Sequence, residues 1–311
     1  FQCRRVVYKV ANSVTGKELR LLDPAIIAGM GSMELRARTI VEGFLAGLHR
    51  SPMKGFSVEF AEYRQYLPGD ALSMIDWKVY ARNDRHYVKK FDAETNVECH
   101  VLLDVSASMG YGSRGLTKLD YGSYLAASLS YLMTQQRDSV GFMAFDDHVV
   151  NHVRASSRPG QLRAVLLALD QLLLGQQSNL AKPFHLLAES LVKRSVVVII
   201  SDLLDDPDKV VRGLKHLRFG GNDVIVFQIL DPDELEFPFE RATKFHDPES
   251  SDELMVMPSQ VRTDYIQAIE ELVAKYDRDL KLVNVDYHLV DTSKPLDLSL
   301  MHYLSNRSRR G

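Results

Sequence analysis

Val97-Glu98-Cys99-His100-Val101-Leu102-Leu103-Asp104-Val105-Ser106-Ala107-Ser108-Met109-Gly110 is the stretch on which the fold turns. Its first half is short, apolar and β-branched enough to be a buried strand, and the run stops abruptly at Asp104. Its second half is small and polar and leads into Gly110, Gly112 and Gly115, which marks a loop. A carboxylate and two hydroxyls at i, i+2 and i+4 therefore stand where a central strand runs out, the edge at which open α/β sheets bind ligands. Three hard oxygen donors at that edge suit a small hard cation such as Mg²⁺. That ion takes few protein ligands and leaves its other positions to water or to a partner's oxygen.

Other chemistries ask for different neighbours. A nucleophile elbow would frame Ser106 as G-x-S-x-G, and those glycines are missing. An aspartate that accepts a phosphoryl group would need a second acid two residues on to help hold Mg²⁺, and position 106 is Ser. The remaining alternative is a strand end followed by a serine turn that caps the next helix. Alone, D-x-S-x-S divides evenly between a metal site and such a turn, because short motifs recur by chance.

The chain has 311 residues, long enough for one large or two small domains with a well-buried core. It is 45% hydrophobic and 25% charged, with a formal net charge of −3 and no long block of one sign. A nucleic-acid footprint is therefore not favoured, and Arg307, Arg309 and Arg310 read as a solvated tail. Only Cys3 and Cys99 occur, too few for a disulfide framework or a thiolate metal site, which fits a reducing, cytoplasmic setting. No run reaches the ~18 apolar residues of a membrane span. Residues 1–22 lack the apolar core and small-residue cleavage site of a signal peptide.

Toward the N-terminus, residues 1–22 stay unassigned and residues 23–95 read as a helix plus a small β-subdomain. Asp23 as N-cap and Pro24 in the first turn start the helix, which runs to about His49 and breaks near Gly29 and Gly31. Alternation through Phe56, Val58 and Phe60 predicts a half-exposed strand, and Leu67-Pro68-Gly69-Asp70 a turn. Ile75 to Arg82 reads as a short helix or turn holding the one Trp, and His86 to Glu94 as a further strand. At near-neutral charge this block is a β-subdomain knitted by ion pairs rather than a nucleic-acid surface.

Toward the C-terminus, residues 96–311 alternate strand and helix. A helix over Leu119–Gln135 precedes a strand over Ser139–Phe145, and after Asp146-Asp147 the strand Val149–Val153 returns antiparallel as an edge. Helices follow from Pro159 to about Leu174 and, past the loop 175–179, to about Lys193. Ser195 to Asp202 is the most hydrophobic run in the chain, a central strand covered on both faces, and it ends in a carboxylate as the first strand does. A helix over Pro207–Phe219 and a strand over Asp223–Leu230 come next, then a hairpin between Arg241 and Met257. A helix over Ser259–Tyr276, a strand over Leu280–Val290 and a helix over Pro295–Leu304 complete the chain. The fold class is α/β, a doubly wound and mostly parallel sheet, in which the strands ending at Asp104 and Asp202 can be neighbours at the switch point.

Asp104-Val105-Ser106-Ala107-Ser108, with Ser178-Asn179-Leu180 and Ser201-Asp202, resembles the metal-ion-dependent adhesion site of von Willebrand factor A domains. The block Glu59-Phe60-x-x-x-Arg64-x-Tyr66-x-Pro68-Gly69-Asp70, with Ile75-Asp76-Trp77 and Ala81-Arg82, resembles a bacterial family called domain of unknown function 58. Members of that family often accompany MoxR-type AAA+ ATPases. The resemblance runs from about Leu22 to Leu304 and implies a von Willebrand factor A, Rossmann-like sheet with Mg²⁺ at its C-terminal edge, Mn²⁺ and Ca²⁺ being alternatives. It implies that Ser106 and Ser108 bind the metal directly, and that Asp104 and Asp202 do so directly or through water. Ser178 stands where the family usually has Thr, keeping the hydroxyl but losing the methyl that restricts χ1.

The function implied is a non-enzymatic, metal-dependent module that binds a protein partner offering an Asp or Glu to the ion, an adaptor for a MoxR-type AAA+ ATPase. One alternative is a Mg²⁺-dependent phosphohydrolase. Against it stands the lack of a general base near the motif, since His100 and His148 lie in or just after strands, where a structural role is expected. The other alternative is a structural domain whose metal site stays empty.

Overall fold

The computed structural model describes residues 24–50, 62–65, 87–90, 97–175, 183–184, 187–188, 191, 194–246 and 253–308. Helices α1 (Pro24–Ala28) and α2 (Met33–Arg50) are separated by the break foreseen at Gly29 and Gly31. Ser32 caps α2 by accepting the N–H of Leu35 at 3.2 Å. The Arg36 guanidinium reaches back to the carbonyls of Met30 and Ala28, both at 3.0 Å, and so satisfies acceptors that the end of α1 leaves open. It also lies 5.1 Å over the Tyr124 ring, tying the break to the main body. Strands β1 (Glu62–Gln65) and β2 (Tyr87–Lys90) pair antiparallel as a small sheet of their own. The strand expected through Phe56 and Phe60 and the turn at Ile75–Arg82 fall outside the described residues.

From β3 (Glu98–Asp104) the chain passes a short 3₁₀ turn at Ala107–Gly110 and enters α3 (Lys118–Gln135). Strands β4 (Ser139–Phe145) and β5 (Val149–Ser156), helix α4 (Gln161–Asp170), strand β6 (Ser195–Ser201), helix α5 (Pro207–Phe219) and strand β7 (Asp223–Leu230) follow. Then come α6 (Pro232–Glu236), the hairpin β8 (Thr243–His246) and β9 (Glu253–Val256), α7 (Pro258–Leu282), β10 (Asp286–Asp291) and α8 (Asp297–Ser308). The large sheet has the order β10-β7-β6-β3-β4-β5, with every pair parallel except β4–β5. This is the α/β, doubly wound and mostly parallel sheet expected from the sequence, with its antiparallel edge where Val149 begins.

Alternation along the central strands assigns the two faces. Val101, Leu103, Val198, Ile200 and Phe227 point into a core shared with α2, α3, α4 and α8. Leu102, Val197, Ile199, Val224 and Val226 point the other way, against Val210, Leu214 and Leu217 of α5 and Tyr276 and Leu280 of α7. Several borders differ from the sequence reading: among others, β5 runs on to Ser156 and α8 to Ser308, and α6 was not expected. Helix α7 runs on to Leu282 where a strand was expected from Leu280, because Leu280 continues the inward stripe of Leu272 and Tyr276. The turn comes only at Asn284, whose φ of 56° is left-handed, so β10 begins at Asp286. Helix α4 is also shorter than expected, stopping at Asp170 and leaving Leu173 and Leu174 on the surface. Among the described residues no helix is long and apolar enough to cross a membrane.

Candidate metal centre

The chain runs outward from β3 through β4 to β5 and then crosses back to place β6 on the other side of β3. That reversal is the switch point of the sheet, and Leu103 pairs with Ile200 there, so the two strands end side by side. Asp104 is wholly buried. Its Oδ1 accepts the Ser106 N–H at 2.8 Å, and its Oδ2 accepts the Ser201 hydroxyl at 2.6 Å. Ser201 Oγ in turn accepts the Leu203 N–H at 3.0 Å. The hydroxyls of Ser106 and Ser108 stand 3.1 Å apart. Ser106 occupies the N-cap of the 3₁₀ turn, yet its side chain makes no capping bond. The serine-turn alternative therefore does not describe what this hydroxyl does.

Asp202 begins the loop after β6 and is buried as well. Its Oδ1 accepts the Leu204 N–H at 3.3 Å, and Gln228 Nε2 donates to its main-chain carbonyl at 2.8 Å. Tyr287 donates its hydroxyl to Gln228 Oε1, which fixes that amide. Asp202 Oδ2 receives the Lys118 ammonium at 2.8 Å, and the same ammonium reaches Glu234 Oε1 at 2.6 Å. Glu234 is anchored in turn by the Asp231 N–H, 2.8 Å from its other carboxylate oxygen.

The cluster holds three carboxylates and one ammonium, and the excess of negative charge is felt. Burial pushes the Asp104 carboxyl up to about 7, the charge of Asp202 adds to the rise, and the hydrogen bonds from Ser201 and Ser106 pull it partly back. Burial also raises Glu234, with Lys118 opposing. Lys118 is raised as well: burial would lower it, but Asp202 and Glu234 together outweigh that and keep it charged. A divalent cation beside the two hydroxyls would offset the surplus, and an all-oxygen donor set is what Mg²⁺, Mn²⁺ or Ca²⁺ takes. Ser106 and Ser108 would hold such an ion, with Asp104 and Asp202 directly or through water.

Ser178 lies outside the described residues, so the fifth predicted ligand has no described position. The chain leading to it is held close, because Gly175 donates its N–H to the Val105 carbonyl at 2.6 Å. A Cβ on Gly175 would meet Asp146 Oδ2 at 2.2 Å, so only glycine fits that approach. His100 is remote from the cluster, four residues (roughly 13 Å) back along β3. It is partly buried, burial lowers its pKa, and its Nε2 makes no hydrogen bond but stands 4.0 Å from Glu98 Oε2. His148 sits exposed on the β4–β5 turn with Nδ1 2.8 Å from Asp146 and 2.6 Å from Asp147.

Lys118 and Glu234 were not foreseen as site residues, and Ser201, quoted with Asp202 in the resemblance, was given no role of its own. Lys118 did carry a signal, because a cation in the first turn of a helix opposes the macrodipole. It follows Thr117, which forms a capping box with Asp120, so α3 starts with a lysine where an acid would be favoured. Such a lysine calls for buried acids to hold it.

A family model described as "Protein of unknown function DUF58" matches residues 62–274. The chain belongs to the DUF58 family. This DUF58 protein is 25% identical over 292 residues to an uncharacterized protein of Mycobacterium bovis, covering 92% of this chain and 91% of that one. Among solved structures it is similar to BatB from Bacteroides thetaiotaomicron at 16% identity and a TM-score of 0.49, covering 69% of this chain and all (100%) of that one. It is similar to the SpRpn10 VWA domain at 12% identity and a TM-score of 0.37, covering 66% of this chain and 93% of that one.

Proposed function

We propose that this DUF58 protein is a non-enzymatic, Mg²⁺-dependent protein-binding module whose partner offers an Asp or Glu carboxylate to the metal, and that it serves a MoxR-type AAA+ ATPase as an adaptor. The observation that carries the reading is the pair of hydroxyls, Ser106 and Ser108, 3.1 Å apart beside a buried carboxylate at the switch point. A bound divalent ion would supply an open coordination position for the partner's carboxylate. The chain's own residues prepare the place. Asp104 shapes the loop by accepting the Ser106 N–H, Ser201 fixes Asp104, and Lys118 neutralises Asp202 so that the two acids do not simply repel.

Mn²⁺ titration followed by electron paramagnetic resonance, beside capture of partners in Mg²⁺ or in EDTA, tests this. Changing Ser106→Ala together with Ser108→Ala removes two hydroxyls and little volume. Mn²⁺ affinity should fall by at least about tenfold, ~1.4 kcal/mol, and capture should be lost in EDTA and in the variant alike while the circular-dichroism melt is kept. Capture that ignores both EDTA and the variant overturns the proposal.

A further inference from the structure

Glu234 faces two ways: it binds Lys118, and it also lines a cavity of about 480 Å³ built between α6, the β8–β9 hairpin and the start of α7. Aromatic rings make the wall. Phe237 lies 4.6 Å from Tyr265 and 5.6 Å from Phe245, centroid to centroid, and Phe245 meets Phe239 edge-on at 5.2 Å. Arg262 of α7 donates to the carbonyls of Phe237 and Phe239, at 3.2 and 2.5 Å, so the wall is preformed. Leu254 lines the same cavity while 65% exposed, so the apolar lining reaches the surface. The volume falls within the range of ligand sites, about 300–1,000 Å³, and the exposed Leu254 gives an apolar side chain of a partner segment a way in from the surface.

The charge of the rim says which segment fits. Asp233, Glu234 and Asp264 all line the cavity, and among the described residues neither Asp233 nor Asp264 is in an ion pair. The hydroxyl of Tyr111, also on the lining, is raised by burial and further by Asp233, Asp231 and Glu234, the acids that face it at the mouth. Acidic segments are repelled there, and a purely apolar one leaves the carboxylates without partners.

We infer that this cavity docks a protein segment in which bulky apolar side chains are flanked by lysine or arginine. The site stands apart from the metal reading, since its wall and rim exist without an ion. It is linked to the metal edge through Glu234, for which a docked cation would compete with Lys118, and through Tyr111, whose N–H donates to the Ser108 carbonyl at 3.1 Å.

Fluorescence anisotropy of the whole chain with two labelled peptides tests the inference in EDTA, so that failure of the metal reading leaves the result intact. The probes are acetyl-Gly-Arg-Leu-Phe-Arg-Gly-amide and its counterpart with Glu in place of each Arg. The arginine peptide should bind at least about tenfold more tightly. Leu254→Ser and Asp264→Lys, both at exposed positions where folding is not at stake, should each weaken it, and Asp264→Lys should also narrow the preference between peptides. No binding, equal binding of the two peptides, or wild-type affinity in either variant overturns the inference.

Discussion

A carboxylate with no exposed surface that faces a second carboxylate is held ionised only by what surrounds it. Asp104 has two hydrogen-bond donors, yet its carboxyl stands at about 7 against an ordinary 3.8, burial first and Asp202 second. Because the folded pKa is the higher one, ionisation costs more in the folded chain than in the unfolded one. The contribution of Asp104 is therefore most favourable below the ordinary value, falls as pH rises through roughly 4 to 7, and is flat above that. With a pKa unit worth ~1.4 kcal/mol, the loss is on the order of a few kcal/mol. Urea unfolding in EDTA across that window should show wild-type stability declining toward higher pH. Asp104→Asn, which cannot ionise and can still meet Ser106 and Ser201, should flatten the decline, and Mg²⁺ should restore stability above pH ~7 in the wild type but not in the variant. Equal slopes in the two proteins would remove this account. At this scale Asp104 and Asp202 were readable because an apolar run ends in each. Lys118 showed only as a cation in a helix first turn, and its partner Glu234 not at all, since their pairing spans 116 residues and no local pattern encodes it.

Elements were readable where one period dominated. Ser139–Phe145, Pro207–Phe219 and Asp223–Leu230 have the bounds their apolar patterns announce. The border between α7 and β10 was not, because Leu280 fits a helical stripe and a strand start equally well and only packing against α5 and the sheet decides it. The same packing sets how near α3 lies to the sheet. It crosses β3, β6 and β7 at Gly122, where an added Cβ would stand 2.9 Å from Leu103 Cδ1 and 3.3 Å from Ile200 Cγ2. Glycine costs a helix about 1 kcal/mol relative to alanine, but a larger side chain here wedges helix and sheet apart, an overpacking cost of about 1–3 kcal/mol. A β-branched residue gains less helix propensity and adds more bulk, so the second effect wins. Gly122→Val should lower the denaturant midpoint at unchanged slope, and a variant as stable as wild type would mean that α3 does not ride this close.

For the whole molecule the open matter is whether residues 96–311, the α/β unit as the strand pattern delimits it, stand without what precedes them. The six-stranded sheet belongs to that unit, but one face of its core does not close within it. Ile27 of α1 and Met33, Ile40, Val41 and Phe44 of α2 are buried in the same cluster as Leu125 and Leu129 of α3 and Val101 and Leu103 of β3. Burying each such side chain contributes about 1.5–3 kcal/mol, so the five together supply on the order of 10 kcal/mol. A whole domain has a net stability of about 5–15 kcal/mol. Removing α1 and α2 takes away a contribution of the same size as the total and also bares the outer side of α3, including the Tyr124 ring that Arg36 covers. A chain beginning at residue 96 should accordingly keep much of its secondary structure but lose cooperative melting and bind a hydrophobic dye, whereas the full chain should melt in one transition. The site would go with it, because Lys118 is the first residue of α3 and its hold on Asp202 and Glu234 depends on where that helix sits. A sharp transition for the shortened chain within a few degrees of the full one would show that the sheet and its own helices suffice.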